Sequence, residues 1–262
     1  MSFSTPDSPP PVGSEPAHSQ QAVLVQPLPG WNPPVGAGRP IRGLSIAAIV
    51  LLAVSGAYAL LLTGTGLYVR SVLEGGRYPG AGSPDGFTPP DALMALAAAV
   101  QLPVLLATAV VFIIWFHRAH TNAKTFRPDV ATRSSGWAIG GWFIPFGNLV
   151  IPCRTAREIW DASRQLRSDG SDRPASTAFI TWWWLVWLMS LLADRVYGTL
   201  YENASDAAGL SASALAGAVQ GALSLVAALL AIRVVQKLTA LQTTRAAEGP
   251  YAAQPAAADG LR

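Results

Sequence analysis

Charge is scarce in this sequence. Only 13% of its 262 residues are Asp, Glu, Lys or Arg, against 51% apolar ones, and an ordinary soluble domain carries about twice that charged share. Cysteine is scarcer still: Cys153 stands alone, which excludes an intrachain disulfide, a CxxC metal knuckle and a redox pair, and leaves a buried, inert thiol as the expectation. The net charge of +3 is too small for a nucleic-acid binder without a patterned basic surface. HExxH, GxSxG, P-loop and GxGxxG patterns are all missing, so the expectation is no catalytic set, no metal and no cofactor. Asp and Glu are also absent from the long uncharged runs, which removes support for intramembrane aspartyl proteolysis and carboxylate proton relays.

Those runs are what the sequence does have. Gly43 to Val69, Ala92 to Phe116, Ser176 to Ala193 and Leu210 to Ile232 carry no charged residue. Each approaches or exceeds the roughly 20 helical residues needed to cross about 30 Å of hydrocarbon. The third is the shortest, yet its TWWWLVWLMSLL core favours a span over a soluble helix. A soluble all-α protein with very apolar helices is the bland alternative. Pro103 should kink the second span, where proline is tolerated as it would not be in a soluble helix.

Basic residues near a span stay on the cytoplasmic side. With the N-terminus inside and four crossings, fifteen of the eighteen Lys and Arg are cytoplasmic, and only Arg70, Arg77 and Arg195 fall outside. The segment Gly136 to Cys153, GWAIGGWFIPFGNLVIPC, is uncharged but broken by Gly140, Gly141, Pro145, Gly147 and Pro152. A fifth crossing there would carry five arginines and the C-terminal tail outside, so a re-entrant or interfacial segment packed among the spans is preferred.

The expectation is therefore an all-α integral membrane protein of the cell membrane, with four transmembrane helices, one broken re-entrant or interfacial segment and both ends cytoplasmic. Residues 1–42 hold ten prolines before Ile41 and no helical period, and read as a disordered tail. The start lacks the basic and apolar order of a secretory signal. The membrane domain is expected over 43–238, with an amphipathic cytoplasmic helix over 154–167, and 239–262 as a second disordered tail. On that helix Ala156, Ile159, Trp160, Ser163 and Leu166 can share a face, with Trp160 in the headgroup layer; a solvated helix is the alternative.

The runs WFHRAHTNA, GWAIGGWFIPFGNLVIPCRTAREIWDAS and VVQKLTALQ together resemble an actinobacterial family called domain of unknown function 4328, over roughly residues 43 to 245. The most distinctive part is the pattern of Trp137, Gly141, Trp142, Pro145, Asn148 and Pro152, followed by Glu158 and Trp160. The resemblance implies a multi-spanning membrane protein and brings no catalytic or ligand residue with it.

Candidate sites follow from the residues alone. Asn148, with carbonyls freed beside Pro145 and Gly147, is placed to coordinate an ion or polar solute, or else caps a turn. Arg118, Lys124, Arg127, Arg133, Arg154 and Arg157 form a basic rim for anionic lipid heads or an acidic partner; topogenic charge is the plainer reading. Ser213, Gly217 and Gly221 recur every four residues, with Gln220 on the next stripe, which suits close helix packing against another span or a second copy in a homo-oligomer. His117 and His120 stand three apart but lack further metal ligands, and read as interfacial histidines. Trp182, Trp183, Trp184 and Trp187 surround their helix, for packing and anchoring more than for a π-rich ligand. A non-enzymatic scaffold or interaction protein in the lipid bilayer is the first expectation. A channel or carrier lined by 136–153 comes second, and a lipid-modifying enzyme using His117, His120 and Glu158 third.

Overall fold

The computed structural model describes residues 38–75, 89–164 and 176–248, the side chains of 89–98 excepted. Among the described residues there is no strand, and the order is α1 (Arg42–Glu74), α2 (Pro89–Phe126), α3 (Trp137–Gly140), a 3-10 turn (Gly147–Leu149), α4 (Ile151–Ser163), α5 (Ala178–Glu202) and α6 (Ala207–Glu248). Three helices are long and apolar enough to cross a membrane: α1, the Ala99–Phe126 part of α2, and α6 to Ala247. The 25-residue α5 has a shorter apolar core, which ends at Asp194 and Arg195 and is diluted by four weakly polar tryptophans.

The helices pack closely where side chains are small. Antiparallel α1 and α6 approach so tightly that a Cβ on Gly66 would stand 2.7 Å from the Ala214 carbonyl oxygen, and one on Gly221 2.8 Å from that of Ala59. Small residues at such contacts let two backbones meet and gain dispersion along their length. A turn over residues 203–206 folds α5 back on α6, and Asp206 caps α6 by accepting the Gly209 N–H at 2.7 Å, as an oxygen at a helix start does. In contrast, α2 and α5 make few close backbone contacts and meet through the Phe112 and Trp183 rings, 6.1 Å apart.

The fully buried core gathers at the α4 end of the bundle, where Trp115, Phe116, Ile159, Ile180, Val234, Val235 and Leu238 lose all solvent contact. Toward the α5–α6 turn, Leu102, Leu105, Leu106, Val110 and Leu192 are exposed. Apolar surface of that extent suits a lipid solvent better than water.

The broken segment enters the gap between α2 and α5. Trp142 wedges there, with ring centroids 5.8 Å from Phe112, 5.7 Å from Phe116, 5.8 Å from Trp184 and 5.9 Å from Trp187. Trp184 Nε1 donates to the Leu149 carbonyl at 2.8 Å and pins the far side of the segment. Between these anchors the chain turns through Phe146 at φ 58°, a left-handed conformation that costs a bulky residue roughly 1–2 kcal/mol. It leaves Phe143 71% and Phe146 85% exposed.

Several boundaries differ from the sequence reading. Helix α6 does not stop at 238 but continues to Glu248, because Val234, Val235, Leu238 and Gln242 keep a buried stripe at helical spacing. Ten residues assigned to the disordered tail are therefore helix. Likewise α5 passes the expected limit at Ala193 and runs to Glu202. The amphipathic helix spans Ile151–Ser163 rather than 154–167, and Arg164 is extended. Leu166 lies outside the described residues, as do 1–37 and 249–262 of the two tails.

Candidate functional site

Two polar constellations and one cleft stand out. At the α4 end, Gln242 is 2% exposed. Its Nε2 donates to the Ala119 carbonyl at 2.8 Å and to Ser163 Oγ at 3.0 Å, and its Oε1 accepts from Asn122 Nδ2 at 3.2 Å. Asn122 turns its other capacity on the chain entering α1, accepting the Arg39 N–H at 2.8 Å and donating to the Arg39 carbonyl at 2.9 Å. One network, buried at Gln242 and part-buried at Arg39, thus ties α2, α4, α6 and the leader of α1 together. Gly38 is required beside it, because a Cβ there would stand 2.7 Å from Asn122 Cγ.

The second constellation joins α2, α4 and the loop between α2 and α3. Arg133 donates to Glu158 Oε1 at 2.7 Å, while Glu158 Oε2 lies 3.9 Å from His120 Nε2, too far for a hydrogen bond. His120 is fully buried and neither ring nitrogen has a partner among the described residues. It lies beyond Phe116, where the charge-free run of α2 ends. Burial chiefly, with the charges of Lys124, His117 and Arg133, pushes its imidazole from 6.5 down to about 4. Burial raises the Glu158 carboxyl against the pull of Arg133, and raises the Cys153 thiol against Arg157.

The pH consequence has a definite sign. Between about 4 and 6.5 the unfolded His120 binds a proton that the folded one refuses, so its contribution is full above 6.5 and is lost as pH falls toward 4. Glu158 acts in the opposite direction, because folding raises its pKa, but the fully buried imidazole carries the larger shift. Acidification from pH 7.5 to 4.5 is expected to cost on the order of 2 kcal/mol through this residue. Thermal melts of purified protein and of His120→Gln at the two pH values test it, and equal acid sensitivity in both proteins would exclude His120 as the cause.

The cleft lies between α1, α2, α5 and α6 and has a volume of about 460 Å³. Its end nearest α4 is formed by the rings of Phe112, Trp142, Trp183 and Trp187. Polar groups are few: Ser55 and Thr108 hydroxyls lie 3.2 Å apart, Gln220 Nε2 donates to Ser224 Oγ at 3.1 Å, and Gln101 and Asp194 stand toward the α5–α6 turn. The volume falls in the range of ligand pockets, about 300–1,000 Å³. Leu105 of α2 and Leu191 of α5 line it and are exposed, so its side wall between those helices is open.

The residues singled out in the sequence are distributed as follows. Asn148 is half-buried, makes no side-chain hydrogen bond among the described residues and does not line the cleft. Gly147 donates its N–H to the Pro145 carbonyl at 2.6 Å, so that carbonyl is not free. Of the basic rim, Arg127 pairs with Asp129 at 2.8 Å, Arg133 is held by Glu158, and Arg157 donates to Thr181 Oγ1 at 2.7 Å. Arg154 is exposed, and Arg118 and Lys124 are half-buried. Trp160 packs edge-on against Phe179 at 4.8 Å and Lys237 covers the Phe179 ring at 4.5 Å. Gly221 faces α1, Gly217 faces Tyr197 of α5 at 3.0 Å for a Cβ, and Ser213 is buried; Gln220 turns into the cleft. His117 is half-buried.

Sequence reasoning missed Gln242 and Asp194. The first was legible in the apolar stripe that continues past residue 238. The second stood one position beyond the end assigned to its span. A family model described as a domain of unknown function (DUF4328) matches residues 80–240. No curated protein and no solved structure matches the chain.

Proposed function

Since the chain belongs to the DUF4328 family, a family without a described activity, we propose a function from geometry: a non-enzymatic membrane protein that takes one hydrophobic or amphiphilic molecule from the bilayer into the cleft. The observation that carries this reading is the open side wall between α2 and α5, where a volume of about 460 Å³ borders exposed apolar helix surface. Molecules of the bilayer are the solvent at that opening.

The reading takes α5 as a fourth crossing, the broken segment as a re-entrant wedge and both termini as cytoplasmic, in the cell membrane. The charge bias of the loops supports this orientation, and Trp142 reaching between α2 and α5 supports re-entry. Exposed Phe143 and Phe146 are then covered by acyl chains, and Arg118, Lys124 and Arg154 meet anionic headgroups at the inner surface. Cysteines introduced at Ser168 and Asn203 of a Cys153→Ser background test the topology in intact cells. Labelling of the Ser168 site from outside would exclude it.

Two other readings lose ground. A polar path lined by 136–153 would need Asn148 in the cleft, whereas rings close its inner end. A catalytic pair of His120 and Glu158 would need access, whereas His120 is fully buried and Arg133 holds the carboxylate. The cleft reading is tested with phospholipids brominated along the acyl chain, in nanodiscs. Bromine is expected to quench tryptophan fluorescence more in the native chain than in Ala228→Phe, which fills the cleft. Equal quenching would overturn it.

A further inference from the structure

We propose that the ligand of this cleft is an organic cation with an apolar tail, held head-first by Asp194. The inference rests on the cleft reading above and adds the chemical class of its occupant. With α5 read as a crossing that starts at Ala178, Asp194 stands sixteen residues further along, about 24 Å at 1.5 Å per residue, near the outer edge of the roughly 30 Å of hydrocarbon. An ionisable side chain at that depth is costly unless it faces a partner or cavity. Asp194 is exposed at the rim of the cleft that it lines and makes no ion pair with any described residue, while Arg195, its neighbour in sequence, stands outside the cleft.

The rest of the lining fits the same occupant. Gln101 and Gln220 stand at the Asp194 end of the cleft and supply amide oxygens, whose negative dipole ends suit a cationic head. Deeper in, the Trp183, Trp187, Phe112 and Trp142 rings offer apolar surfaces that bury the tail. No Lys or Arg lines the cleft, so an anionic head would meet an unpaired carboxylate without a counter-charge. The charge of the site selects its ligand.

The test uses the full-length chain in maltoside micelles and three twelve-carbon chains brominated at the tail: the trimethylammonium, the alcohol and the sulfate. The cation is expected to quench tryptophan at about tenfold lower concentration than the alcohol, with the sulfate weakest. Asp194→Asn should abolish the cation's advantage and leave quenching by the alcohol unchanged, with its melting temperature showing that the variant is folded. If the cation and the alcohol quench alike, or if the preference survives in Asp194→Asn, the proposal is overturned while the cleft stands. If none of the three quenches, the cleft reading falls with it.

Discussion

Trp142→Ala is expected to destabilise the protein by about 2–3 kcal/mol, below the range of about 3–5 kcal/mol for a fully buried aromatic because the indole is half-buried, and to unseat the broken segment. The indole is the one side chain of that segment that reaches Phe112 and Phe116 of α2 and Trp184 and Trp187 of α5 together. Edge-to-face pairs of this kind each add about 0.5–1.5 kcal/mol beyond the area they bury. Nothing nearby can refill the space cheaply, because the segment is held at Leu149 by Trp184 and is constrained at Phe146 by its left-handed backbone. Trp142→Phe keeps a ring in the gap and should cost less than half as much. Thermal unfolding in micelles measures both. The Ala variant should also open the inner end of the cleft, so that a brominated chain quenches the remaining tryptophans more strongly. A loss below about 1 kcal/mol would mean that the segment is not wedged between the two helices.

How far the sequence speaks depends on which force sets each feature. Hydrocarbon length and missing charge mark α1, α2 and α6 directly, because a bilayer-sized run of apolar residues has few alternatives. The ends of helices are less legible. A charged residue such as Asp194 ends an apolar run on paper, but the backbone of α5 continues, since Asp and Arg are compatible with a helix and the cost falls on their surroundings. Gln242 was hidden for the converse reason: its polarity suggested solvent, whereas its partners Asn122, Ser163 and the Ala119 carbonyl come from segments 79 to 123 residues away.

The same logic separates the sites. Gly and Pro in the broken segment announced irregular backbone, and the segment is irregular. What they could not announce was that its principal contribution is Trp142 rather than Asn148, because the depth of insertion is decided by the gap between α2 and α5. The small-residue stripe on α6 signalled a close contact, but only the fold assigns Gly221 to α1 and Gly217 to Tyr197. Gln220 shows the limit of a helical wheel, since one residue of rotation moves it from a helix contact into the cleft.

Gln242→Leu should cost about 2–3 kcal/mol. The substitution preserves most of the volume, so the loss is polar: Ser163 Oγ and the second hydrogen bond on the Ala119 carbonyl lose their donor, and Asn122 keeps only the Arg39 contacts. A buried polar group left without its partner costs about 1–3 kcal/mol. Asn122→Leu alone should cost about 1–2 kcal/mol, because it takes the partner from the Gln242 amide and from the part-buried Arg39 N–H and carbonyl. The double variant should be less destabilised than the sum of the two by about 1–2 kcal/mol, since the two side chains share one bond and one network. Hydrogen exchange gives an independent readout. The Arg39 amide, which donates to Asn122, should exchange faster in Asn122→Leu and, to a smaller degree, in Gln242→Leu. Strict additivity together with unchanged Arg39 exchange in Gln242→Leu would mean that Gln242 stabilises its three helices without ordering the leader of α1.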